Sequence, residues 1–156
     1  MMTYLWLKLI HIISSTFLFG TGLGSAFYMF MANQKRDDLT HLLRTTRNVV
    51  IADFIFTTPA VLIQPLTGFA MIYLAGFPLQ SFWIIVSILL YIIIGLCWIP
   101  VVFIQIRLQK IIERTIVHQQ SLPDAYHRLY RIWFLLGWPA FIGVLMIFYL
   151  MVIKIT

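Results

Sequence analysis

Four long apolar runs, Tyr4 to Met31, Val49 to Leu74, Phe82 to Ile106 and Ile132 to Ile153, take up most of a 156-residue chain. Each exceeds the roughly 20 residues that a helix needs to cross a hydrocarbon core of ~30 Å. With 62% hydrophobic and only 10% charged residues, and a mean hydropathy of +0.95, the chain lies outside the range of water-soluble domains. In lipid every backbone amide must find its partner inside the protein, which helices achieve locally. No segments of alternating polarity point to a barrel instead. The predicted class is therefore all-α: one integral membrane four-helix bundle over residues 1–156, with the lipid bilayer as its first partner.

The first run is longer than the ~7–15 residues of a signal-peptide core, Lys8 interrupts its start, and no Ala-x-Ala site follows; it reads as a retained span. Cys97, the sole cysteine, lies inside the third run and reads as a packing residue.

A net charge of +6 raises the question of an anionic partner. Lys35, Arg36, Arg44 and Arg47 lie between the first two runs, and Arg107, Lys110, Arg114, Arg128 and Arg131 lie around the connection between the last two. Only Lys8 and Lys154 belong to the other side. The positive-inside rule then makes both basic connections cytoplasmic and leaves both termini and the short Ala75 to Ser81 turn outside. The charge is spent on topology and anionic lipid rather than on nucleic acid.

The turn from Ala75 to Ser81 is short enough to predict an antiparallel hairpin of spans two and three. The stretch Lys110 to Tyr130 is longer. Pro123 within it favours a fresh helix start for span four.

Helical rise of about 1.5 Å per residue places His11 about 10 Å below the outer surface. Gln64 to Thr67, Ser87 to Tyr91 and Met146 to Tyr149 fall at the same level, so a polar layer is expected there. Ser14 lies one turn from His11, on nearly the same face. An ionisable group at that depth is expensive to desolvate and is a functional candidate by default. Its plain alternative is a neutral imidazole bonded across the bundle to Gln64 or a serine. If it binds a cofactor, haem b is the natural one, because imidazole is a standard axial ligand and a four-helix bundle can clamp a flat macrocycle. His11, Ser14, Gln64, Thr67 and Met146 are then the expected cofactor residues, with His11 on the iron. A proton relay is the second role. The other histidines, His41, His118 and His127, fall near the opposite face, so the sixth position would stay open, use Met146, or come from a second subunit.

A second constellation lies near the cytoplasmic face. Asp53 enters span two, and a carboxylate in lipid is expected to be paired, here with Arg131 or Arg128. The plain role is locking two helices. The alternative is an anion site formed by Arg128, Arg131, Arg44 and His127.

Gly20 and Gly24, with Thr16 a turn before, form a small-residue seam that permits close helix approach, including that of a second copy. Pro59, Pro65, Pro100 and Pro139 each interrupt a span.

The segments Ala52-Asp53-Phe54-Ile55-Phe56-Thr57-Thr58-Pro59-Ala60, Gln64-Pro65-Leu66-Thr67-Gly68, Trp98-Ile99-Pro100, Tyr126-His127-Arg128 and Gly137-Trp138-Pro139-Ala140 resemble the bacterial integral membrane family catalogued as domain of unknown function 2269. That resemblance covers all four spans and implies no activity. More distantly, Leu5-Trp6-Leu7-Lys8-Leu9-Ile10-His11 and an arginine-entered last helix with a proline eight residues on look like the membrane-embedded protoporphyrinogen oxidase of HemJ type. That likeness implies a haem-bound first-helix histidine at His11. It departs at two places: the third-helix lysine has no counterpart between Ile84 and Ile94, and the Asn-Glu pair before the last-helix proline is Gly137-Trp138 here.

Three functions follow as expectations. The first is a haem or related tetrapyrrole protein serving electron transfer or porphyrin oxidation, with a redox partner. The second is a cofactor-free assembly subunit that pairs through the glycine seam. Small-solute transport is third, since four spans without a repeat make a poor alternating-access device.

Overall fold

The computed structural model describes residues 2–154. Its helices are α1 (Met2–Gln34), α2 (Leu39–Ala52), a π turn (Asp53–Thr57), α3 (Thr58–Ala75), α4 (Phe82–Val117) and α5 (Asp124–Ile153). Because α2, the π turn and α3 run on as one 37-residue helix, four helices are long and apolar enough to cross a membrane.

The link between the first two long helices is much shorter than the spacing of the apolar runs predicts. Nothing between Leu39 and Ala52 breaks a helix, and Leu42, Thr46 and Val49 recur at helical spacing and are buried. α2 therefore folds as an amphipathic extension. Asp38 caps it by accepting the His41 amide at 2.9 Å. Arg44 and Arg47 project from its exposed face.

Proline chemistry shapes the middle of the same helix. Pro59 has no N–H to offer and its ring crowds the carbonyl four residues back. The turn before it widens, so that the Thr58 amide bonds the Asp53 carbonyl, and the Thr58 hydroxyl reaches that oxygen at 3.0 Å. Such π turns relieve a local mismatch and often mark functional positions.

α3 stops at Gly76, whose φ of 68° is left-handed. The Phe77 amide returns to the Ile72 carbonyl at 3.2 Å, which closes the end of α3. Pro123 ends the stretch before α5, and the helix starts at the next residue.

Packing is uneven along the bundle. At the end that carries the basic connections, Met29, Leu42, Val49, Leu108, Tyr126 and Trp133 belong to one buried cluster spanning α1, α2, α4 and α5. At the far end a smaller buried cluster comprises Trp83, Ile84 and Leu150, and there the Lys154 ammonium sits 4.9 Å above the Phe77 ring. α4 packs mainly on α5, and α1 on α3. The expected hairpin of spans two and three is accordingly a connection more than a packed pair: α3 and α4 share a turn but little close backbone approach. Large apolar side chains such as Leu66, Leu96, Leu135 and Val152 face outward, as a lipid-facing surface requires.

α4 and α5 approach closely at Gly143. A Cβ placed there would lie 2.9 Å from Cγ1 and 3.0 Å from Cδ1 of Ile94. Gly143→Leu is expected to destabilise the bundle by about 1–3 kcal/mol through overpacking, read as a lower thermal midpoint in detergent. The same change at Gly95, where a Cβ would meet nothing within 4 Å, should leave the midpoint nearly unchanged.

Candidate functional site

The polar layer forms where α1 crosses α3. His11 is half-buried on the face of α1 that meets α3. Its Nδ1 lies 2.7 Å from Thr67 Oγ1, and Gln64 Nε2 donates to the His11 carbonyl at 2.9 Å. One turn on, the Ser14 hydroxyl donates to the Ala60 carbonyl at 3.2 Å. Three hydrogen bonds thus tie two helices together inside the apolar zone. Bonds of this kind are worth about 0.6–2 kcal/mol each in membrane proteins.

The Thr67 hydroxyl decides which imidazole tautomer is present. A hydroxyl has one proton, and Thr67 Oγ1 points it at its own helix, with the Ile63 carbonyl at 2.8 Å and the Gln64 carbonyl at 3.2 Å. Its lone pairs remain to accept from the imidazole, an arrangement that favours the tautomer with the proton on Nδ1. The Nε2 lone pair is left free. A metal-ligating histidine is prepared in this way, with the second nitrogen held by an acceptor that fixes the ring and its tautomer.

Pro65 explains why Tyr91 takes part. With no amide proton at position 65, the Val61 carbonyl loses its helical donor. The Tyr91 hydroxyl on α4 supplies a substitute by donating to Val61 O. This bond joins α3 to α4 where their backbones barely meet. The pairing was not legible in the sequence beyond a shared depth, although a proline in a span does announce a carbonyl in need of a donor.

Not every residue expected in this layer is gathered by the fold. Ser87 bonds its own helix at Trp83 O. Met146 is exposed in an apolar groove of about 370 Å³ between α4 and α5, beside Phe82, Val86, Ile142 and Tyr149. The imidazole, by contrast, is engaged with α3.

The second constellation differs from the expected one. Asp53 is buried, yet its partner is neither Arg131 nor Arg128; it accepts the Thr57 hydroxyl at 2.8 Å, and the Gln105 amide faces it from α4. Among the described residues the one ion pair joins Arg47 to Glu113 at 3.0 Å, on the surface. Arg44, Arg128 and Arg131 are exposed, and His127 lies edge-on to Tyr126 with ring centroids 5.5 Å apart. The reason is direction. The π turn aims Asp53 inward at α4, while long arginine side chains extend to the polar boundary where their charge stays hydrated. Among the described residues no three His, Cys, Asp or Glu side chains are grouped to hold a metal ion, so any metal chemistry rests on a single imidazole.

Four long apolar helices, tied to one another by hydrogen bonds inside the apolar zone, define a multi-pass integral membrane protein. Residues 5–155 match the family described as predicted integral membrane protein DUF2269. The chain belongs to that family. No curated protein and no solved structure matches it.

Proposed function

We propose that this protein binds haem b or a related tetrapyrrole through His11 Nε2 and serves electron transfer or porphyrin oxidation in the bacterial inner membrane, with both termini periplasmic. The observation that supports this is the hydrogen bond of the imidazole to a threonine whose own proton is committed elsewhere. It leaves the Nε2 lone pair available to a metal at a depth where an idle histidine would gain more by being replaced with an apolar residue. His11 would hold the iron. Thr67 and Gln64 would fix the ring and backbone beneath it, and Ser14 would hold α1 at its distance from α3. Bound there, haem would supply a one-electron carrier within the apolar zone.

The chain offers one ligand at this site. The second axial position is open to a small molecule or to a second copy of the chain. Protein purified in mild detergent from haem-replete cells is expected to show a Soret band and a reducible alpha band. A colourless protein from such cells would refute the proposal.

A second reading has its own observation. A Cβ at Gly20, Gly22 or Gly24 would meet nothing within 4 Å, so among the described residues nothing packs closely on the glycine seam. Beside it a groove of about 410 Å³ holds Thr21, Ser25, Thr45 and Asn48, polar groups that a partner helix would satisfy. A cofactor-free assembly subunit would use this surface. Its sign is a colourless complex of defined size that Gly24→Leu dissociates into single chains, measured by light scattering in detergent.

A further inference from the structure

Five acidic residues are present, and four of them have ordinary surroundings: Asp37, Asp38 and Asp124 are exposed, and Glu113 is paired with Arg47. Asp53 is different. It is 4% exposed, in the π turn, within an apolar helix. The elements packed on the π turn bring no compensating charge to it. On α1 the charged residue is Lys8, about one turn beyond His11, whose partner Thr67 is itself about four helical turns from Asp53; on α2 Arg47 is engaged by Glu113 while Arg44 and His41 are exposed. α3 holds no charged residue. On α4 Arg107, Lys110 and Arg114 are exposed, as are Arg128 and Arg131 on α5.

What faces Asp53 is an amide. Gln105 is 2% exposed, and its Oε1 is buried with no hydrogen-bond partner, while its side chain lies beside the Asp53 carboxyl. With Asp53 ionised, this pocket would hold a bare negative charge and an orphaned acceptor side by side, each costly to bury. A single proton cures both faults. A carboxylic acid and a primary amide are both planar, and they close two hydrogen bonds at once: the amide N–H donates to one carboxyl oxygen, and the acid O–H donates to the amide oxygen. The Thr57 hydroxyl, 2.8 Å away, continues to donate to the carboxyl.

We propose that Asp53 is a proton-binding site, held as the neutral acid by Gln105 in the half of the bundle that carries the basic connections. Release of the proton requires Gln105 to withdraw, so protonation is coupled to the spacing between the π turn and α4. The π turn is the element suited to change, because its wider ring of hydrogen bonds is already off the α-helical pattern. The proton exchanges with water when the turn opens; no other bond is made or broken.

The test is infrared spectroscopy of the full chain in detergent at neutral pH, in light and heavy water. Wild type is expected to show one deuterium-sensitive carbonyl band of a protonated carboxylic acid. The band should be absent in Asp53→Asn and should move to higher frequency in Gln105→Leu, where the acid loses its amide. Absence of the band in wild type, its survival in Asp53→Asn, or a position unmoved in Gln105→Leu would overturn the proposal. Should a variant fail to fold, wild type labelled with carbon-13 at the aspartate carboxyls decides the matter by magnetic resonance. One aspartate resonance should keep the shift of the neutral acid at neutral pH; all of them at carboxylate shifts would overturn the assignment. Neither outcome depends on whether haem is bound.

Discussion

Tyr126→Ala is expected to destabilise the protein by about 3–5 kcal/mol, the range for truncating a fully buried aromatic side chain. Tyr126 is 0% exposed and sits in the cluster that joins α5 to α1, α2 and α4. Its ring stacks on Tyr130 with centroids 6.2 Å apart, and Tyr130 packs in turn on Trp133 at 5.6 Å. The hydroxyl donates to Asn33 Oδ1 at 2.9 Å, which ties the last turn of α1 to the first turn of α5. Tyr126→Phe separates the two contributions. It keeps the ring, leaves Asn33 Oδ1 without its donor, and should cost about 1–3 kcal/mol. Thermal or denaturant unfolding in a fixed detergent, followed by helical dichroism, measures both; equal losses for the two variants would show that the hydroxyl bond, not the ring, carries the stability.

The second large effect concerns His11. If Nε2 binds haem iron, His11→Ala should abolish the absorbance bands entirely while the helical dichroism is retained. The geometry predicts a graded partner to that result. Thr67→Val preserves shape but removes the acceptor that fixes the imidazole tautomer, and loss of such a supporting bond lowers metal affinity by about 10–100-fold. Haem titration of apoprotein, followed at the Soret maximum, gives the two affinities. Binding unchanged in Thr67→Val would show that the threonine does not prepare the ring. Binding unchanged in His11→Ala would remove the histidine from the site.

Much of the site was legible before the fold. Depth counting brought His11, Ser14, Gln64 and Thr67 to one level, and the structure joins all four at the α1–α3 contact. Depth has no angular component, however, and so it also admitted Met146, which lies in the α4–α5 groove. The misplaced partner of Asp53 has a similar cause. Charge pairing selected Arg128 or Arg131 by level along the bundle, whereas rotation at the π turn gives the carboxyl to Thr57 and Gln105.

The sequence by itself determined the class of protein, its long apolar helices and its family, because hydropathy sums along the chain and the cost of an unbonded amide in lipid leaves helices as the local solution. It also determined where helices must be irregular, since a proline removes its own donor wherever it falls. Only the tertiary structure decided which helices pair, which hydroxyl fixes the His11 tautomer, and which side chain faces Asp53. Lipid and protein core are equally apolar, so hydrophobic periodicity does not tell the inward face of a helix from the outward one, and those choices are made by packing and by hydrogen bonds between helices.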